Sequence, residues 1–126
     1  MRARTPRGFS LIELMVVMAI IAALVAIALP RYQSSVDNAR LTALRTSLRV
    51  MRESIDRYYE DKGKLPASLT ELAEARYLKA VPVDPLTDSA QTWVLKPDPE
   101  GELEGVADVA SGARGMTPQG VAYSDL

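Results

Sequence analysis

Arg7-Gly8-Phe9-Ser10-Leu11-Ile12-Glu13-Leu14, continued without a charge from Met15 to Leu29, is the stretch that decides the fold of this 126-residue chain. Phe9 to Leu29 is 21 residues, which as a helix rising about 1.5 Å per residue matches the roughly 30 Å hydrocarbon core of a bilayer. A single helix therefore spans. Glu13 is the one carboxylate inside it, about a turn from one end. An ionised acid near mid-span costs about 2.5–3.5 kcal/mol on insertion scales, less where it can snorkel, yet an apolar residue would cost less still. The position calls for a partner.

The flanks set the expected topology. Arg2, Arg4 and Arg7 precede the apolar run with no acid among the first eight residues, which places that end in the cytoplasm and exports the remainder. After Leu29 the chain reads Pro30-Arg31-Tyr32-Gln33, without the small-residue cleavage pattern of a secretory signal. The helix is expected to stay on the chain, as a signal anchor would.

The residues from Arg7 to Leu14 resemble the type III signal of type IV pilins and type II secretion pseudopilins. The resemblance implies cleavage between Gly8 and Phe9 by a dedicated membrane peptidase and N-methylation of the new Phe9 amine by the same enzyme. It also implies pairing of that amine with Glu13 on a neighbouring subunit. Elementary chemistry agrees with those roles. Gly8 offers a protease a backbone without side-chain obstruction, and cleavage creates an α-amine with an ordinary pKa near 7.7–8.0. The implied layout is a leader over 1–8, a transmembrane and assembly helix over 9–29, and a periplasmic pilin-like head over 30–126.

Composition narrows the function. There are 15 basic and 16 acidic residues; without Arg2, Arg4 and Arg7 the balance is 12 against 16, with no sign of a nucleic-acid binder. No Cys and no His occur, which removes disulfides, His catalysis and His metal ligands. With no Gly-rich phosphate loop and no convincing carboxylate pair either, no catalytic constellation is present, and an enzyme is not expected. Many type IVa pilins close a C-terminal loop with a disulfide, so its absence tilts the resemblance toward pseudopilins.

Beyond the membrane segment, Leu41, Leu44, Leu48, Met51, Ile55 and Tyr58/Tyr59 recur at helical spacing. The helix is predicted to run from Phe9 to Lys62 and stop at Gly63. Arg40, Arg45, Arg49, Arg52, Glu53, Asp56 and Arg57 fall between the apolar positions, on a solvated or partner-facing side. One of Tyr58 and Tyr59 is expected under the head and the other at its surface. Pro30 is expected to kink or locally melt the helix near Ala26 to Pro30.

Ser68 and Glu71 form a capping-box pattern that opens a short helix running to about Tyr77. Thr92–Leu95, Val106–Val109 and Val121–Tyr123 are strand candidates for a small antiparallel sheet, with Trp93 in the core. The fold class is α+β: a long N-terminal helix with a short second helix and a small sheet on its C-terminal half. The downstream order, including Val81-Pro82-Val83-Asp84-Pro85, resembles major pseudopilins more loosely than the N-terminus does.

Major pseudopilins commonly bind calcium in a C-terminal loop, and by that resemblance Asp108, Ser111 and Asp125 are weak candidates. Arg114 stands where another acid would be wanted, so a plain Gly-containing turn is the favoured reading and no cofactor is required. Charge is uneven: Arg31 to Arg57 holds six Arg against Asp37, Glu53 and Asp56, whereas Asp84 to Asp108 holds seven acids against Lys96.

The function implied is a structural subunit of a periplasmic pseudopilus supporting type II protein secretion. A type IV pilin or a pilin-like subunit of a DNA-uptake machine is the alternative, and a plain membrane-anchored binding module a more distant one. The partners expected are other copies of the chain, the prepilin peptidase and methyltransferase, an inner-membrane assembly platform and membrane lipid, with the subunit extracted from the membrane into a filament.

Overall fold

A computed structural model describes residues 2–126. In order it contains helix α1 (Leu11–Lys62), helix α2 (Leu69–Glu74), strands β1 (Val94–Lys96) and β2 (Asp108–Ala110), and a closing 3-10 turn at Tyr123–Asp125. This is the expected α+β set. The described residues divide into two units, one ending at Asp37 and one covering Asn38–Leu126.

In the first unit, α1 begins two residues after Phe9 and remains helical through Pro30. The expected local melting does not occur. Pro30 removes one donor from a helix that continues for several turns on both sides, and the Ser34 hydroxyl turns back to donate to the Pro30 carbonyl at 3.1 Å. Every side chain from Arg2 to Ser35 is exposed within the chain. The first unit has no core of its own.

The second unit is built on one stripe of α1. Leu44, Leu48, Met51, Ile55 and Tyr58 are buried with Leu69 and Leu72 of α2 and with Leu78, Trp93, Val106 and Val109. Spacing of three and four keeps the α1 members on one face, and burying a Leu or Met contributes about 1.5–3 kcal/mol before entropy is counted. Tyr58 is 3% exposed and Tyr59 42%, which resolves the tyrosine pair: Tyr58 lies under the head. Trp93 is buried and its indole N–H donates to the Pro82 carbonyl at 2.8 Å.

Ser68 caps α2, its Oγ accepting the Glu71 N–H at 3.1 Å. The reciprocal half of the box is redirected. Glu71 Oε2 accepts the Ala67 N–H at 2.6 Å, and Oε1 accepts the Tyr58 hydroxyl at 2.7 Å. These bonds hold the Glu71 carboxyl below its ordinary range, the tyrosine making the larger contribution, and raise the Tyr58 hydroxyl. A second bond runs the opposite way, from the Tyr77 hydroxyl to Asp61 Oδ2 at 2.7 Å, and the two tyrosine rings meet edge to face at 5.3 Å. Two tyrosines thus tie α1 to the α2 segment.

α2 ends at Glu74, three residues before the sequence-based boundary. Arg76 takes a left-handed φ of 65°, and the Tyr77 and Leu78 N–H groups both return to the Leu72 carbonyl, closing the helix as a C-terminal cap does.

β1 and β2 pair antiparallel with Val94 opposite Ala110, Leu95 opposite Val109 and Lys96 opposite Asp108. Both start two residues later than the sequence suggests. The third strand is absent: around Val121 only a single bridge, Met116 to Ala122, precedes the 3-10 turn. Pro118 cannot donate to a ladder, and Gly120 has a positive φ of 81° that breaks extended geometry.

Candidate functional site

Gly8 and Phe9 lie in a non-helical segment ahead of α1, and the Phe9 side chain is 88% exposed. A Cβ added at Gly8 would meet nothing within 4 Å. Nothing in the chain's own packing therefore demands glycine there. The Gly8–Phe9 peptide is free of secondary structure, a form a protease can take up as an extended strand.

Glu13 is better partnered than its isolation in the sequence implied. Its Oε2 accepts the Ser10 N–H at 2.9 Å, while the Glu13 N–H donates to Ser10 Oγ at 3.3 Å. This is a complete capping box, satisfying donors that the first helical turn leaves free, and the acid lies in the first turn where the helix dipole favours it. Ser10-x-x-Glu13 was as readable as Ser68-x-x-Glu71, and the sequence reading passed over it. Phe9, Ile12, Glu13, Val16 and Val17 line an open groove of about 470 Å³, in which Glu13 carries the only charge. Oε1 of Glu13 has no hydrogen-bond partner among the described residues, so the cap leaves that oxygen available.

The calcium candidates are not brought together as a site. Asp108 Oδ1 accepts Arg52 Nε at 2.7 Å and the Val109 N–H at 2.7 Å. Ser111, buried, donates instead to Asp84, and Asp125 sits in the closing 3-10 turn. Among the described residues no group of three or more His, Cys, Asp or Glu is placed to hold a metal. A cation at Asp108 would have to displace a guanidinium.

Two residues acquired roles the sequence did not disclose. Arg52 was read as part of the solvated side, yet its guanidinium bonds Asp108, the Val109 carbonyl at 3.0 Å and the Leu126 carbonyl, joining α1 to β2 and the chain's last turn. Asp84 is fully buried, with Oδ1 accepting the Leu86 N–H at 2.8 Å and Oδ2 the Ser111 hydroxyl. The Asp-Pro dipeptide signalled its turn; nothing local signalled Ser111.

The model of the prokaryotic N-terminal methylation motif matches residues 4–29. A fimbrial protein of Moraxella nonliquefaciens is 32% identical over 109 residues, covering 81% of this chain and 70% of that protein. The chain belongs to the type IV pilin-like superfamily. Type II secretion system core protein G of Pseudomonas aeruginosa is 28% identical over 131 aligned positions, covering 91% of each chain. Fimbrial protein EcpC of Eikenella corrodens is 42% identical over 67 residues, covering 53% of this pilin-like chain and 44% of that protein. The chain thus spans about half the length of several of the curated relatives it matches. None of these relatives is named as an enzyme. No solved structure matches.

Proposed function

We propose that this pilin-like chain is a structural subunit of a fibre, in the first place a type II secretion pseudopilus. The observation that carries the fibre reading is the first unit: a helix long and apolar enough to cross a membrane, exposed over its whole circumference, with one carboxylate in its first turn. Such a surface needs lipid or other helices around it.

Residues 1–8 act as the leader, 9–29 as the membrane and assembly helix, and 30–126 as the periplasmic head, with the N-terminus cytoplasmic and the helix in the inner membrane. Cleavage after Gly8 frees the Phe9 amine, which the peptidase then methylates. Glu13 keeps its Ser10 cap through Oε2 and meets the amine of a neighbouring copy through Oε1. An ionised carboxylate can accept several bonds at once, so capping and assembly do not compete. In low dielectric the resulting ion pair is strong and directional. The subunit leaves the lipid for the bundle because the bundle gives that carboxylate a cationic partner. Pro30 leaves the Ala26 carbonyl without its usual donor, a point where neighbouring helices can contribute.

The secretion assignment is supported by the alignment with core protein G across nearly the whole of both chains and by the absence of Cys. A type IV pilus is the second reading, favoured by the fimbrial relative from Moraxella nonliquefaciens. Intact-mass analysis with and without the peptidase is expected to show loss of residues 1–8 and a methyl group on Phe9. Glu13→Ala is expected to keep cleavage and abolish fibres; normal fibres from that variant would defeat the pairing mechanism. Deletion of the chain separates the machines: lost protein export supports the pseudopilus, lost surface fibres the pilus.

A further inference from the structure

One side of α1 in the second unit carries Arg45, Arg49, Arg52, Glu53 and Asp56, which with Leu48 and Leu126 line an open groove of about 310 Å³. Arg52 turns inward to Asp108, the one salt bridge among the described residues. Arg45 and Arg49 are left exposed and without an acidic partner. Glu53 lies four residues beyond Arg49, but with the cation N-terminal to the acid, the weaker order for such a pair.

The connection from β1 to β2 has the opposite character. Asp98 turns its carboxylate into the loop and accepts the N–H groups of Glu100, Glu102 and Leu103 at 3.4, 3.0 and 3.1 Å. The far end is anchored where the Val106 N–H donates to the Pro66 carbonyl at 2.8 Å. Gly105, at φ 124°, is so close that a Cβ there would lie 2.7 Å from the Pro66 oxygen. Glu100, Glu102 and Glu104 are exposed, and their carboxylates make no hydrogen bond or salt bridge. The loop is therefore pre-shaped, with the N–H groups of residues 100–103 all satisfied by Asp98 and three carboxylates turned outward.

We propose that the Arg45/Arg49 groove receives the 98–104 loop of a second copy of this chain. The inference rests on the fibre reading and names the head-to-head contact within it. Charge complementarity selects the occupant: the unpaired arginines and the unpaired acids lie on one chain but do not meet within it. Ion pairs over the apolar floor of Leu48 and Leu126 are less screened than pairs in open water. A loop already held by Asp98 and Pro66 loses little freedom on docking. Like charges set against each other across the contact repel, which makes charge reversal the decisive probe.

The test uses the full chain with its peptidase in membranes, reading sheared fibre yield at low salt. Arg45→Glu with Arg49→Glu, and separately Glu100→Lys with Glu102→Lys, are each expected to lower yield by about tenfold or more. The four changes together are expected to restore it. Unchanged yield from either reversal, or no restoration in the combination, overturns the contact. Failure of the unaltered chain to be cleaved or to form fibres defeats the fibre reading instead. Because the chain has no Cys, Arg49→Cys with Glu102→Cys gives an independent readout: oxidation is expected to yield a ladder of linked copies. A link within one chain, a link to a different protein, or no link in intact fibres overturns the proposal.

Discussion

Residues 11–37 and 38–62 belong to one helix but follow opposite rules. In the first stretch apolar residues cover the whole circumference and all but one are exposed; in the second they form a single stripe that disappears into a core. Hydrophobicity alone therefore does not make a core: a helix apolar all round asks for lipid or other helices, and a helix apolar on one side asks for a domain. The two capping boxes repeat the contrast. Ser10 and Glu13 complete theirs in isolation, whereas Glu71 gives up the reciprocal bond to Ser68 and accepts Tyr58 and Ala67 instead.

The largest expected effect separates these two stretches. Leu48→Ala should cost the head about 2–5 kcal/mol, the loss of a buried Leu plus the cavity left behind. Leu24→Ala should leave head stability unchanged, since Leu24 is exposed in the chain. Denaturant unfolding followed by Trp93 fluorescence measures both, and equal losses would break the comparison.

Next is Gly112→Ala, where an added Cβ would overlap the Thr92 carbonyl oxygen, a backbone atom that cannot swing aside. A loss of about 1–3 kcal/mol is expected from such overpacking, read as a lower denaturation midpoint. Gly8→Ala, by contrast, should leave head stability unaltered while impairing leader cleavage, because Gly8 has open space around it.

Ser68→Ala should cost about 1 kcal/mol of head stability through its lost cap. Ser10→Ala removes a cap from the other unit and should not move the head's midpoint. A matched loss in both would mean that the first unit contributes to the stability of the second.

The smallest effect is in pH dependence. Glu71 is held below its ordinary value of 4.5, so its stabilisation is complete above that value and lost as pH falls through the lowered folded-state pKa. Tyr58 is raised above 10.0, so its contribution is complete below that value and lost as pH rises through the raised one. Tyr58→Phe should reduce both limbs of a stability-against-pH curve, leaving on the acid side the part due to the Ala67 N–H and on the basic side the part due to Tyr77, which its bond to Asp61 raises. Unchanged limbs would show that the Tyr58–Glu71 bond does not couple to folding.

Legibility followed the range of the interactions. The stripe from Leu44 to Tyr58, the Ser68 cap and the stop at Gly63 depend on neighbours three or four residues apart and could be read directly. The end of α2 was misplaced because Arg76 adopts a left-handed turn that an arginine does not advertise. The third strand failed because Pro118 and Gly120 spoil the ladder that Val121 and Tyr123 suggested. Arg52 and Asp108 are 56 residues apart, and Asp84 and Ser111 are 27 apart; no local pattern links them.

By itself the sequence determined the membrane-length helix, its single carboxylate, the N-terminal methylation motif and the apolar side on which the head forms, because periodicity and composition act within a few residues. Only the tertiary structure decided which Tyr is buried, that Arg52 leaves the solvated side for Asp108, and that Asp84 meets Ser111. Those choices depend on which distant segments the folded chain brings within hydrogen-bonding distance, where a buried or half-buried polar group must find a partner or lose the stability of its hydration.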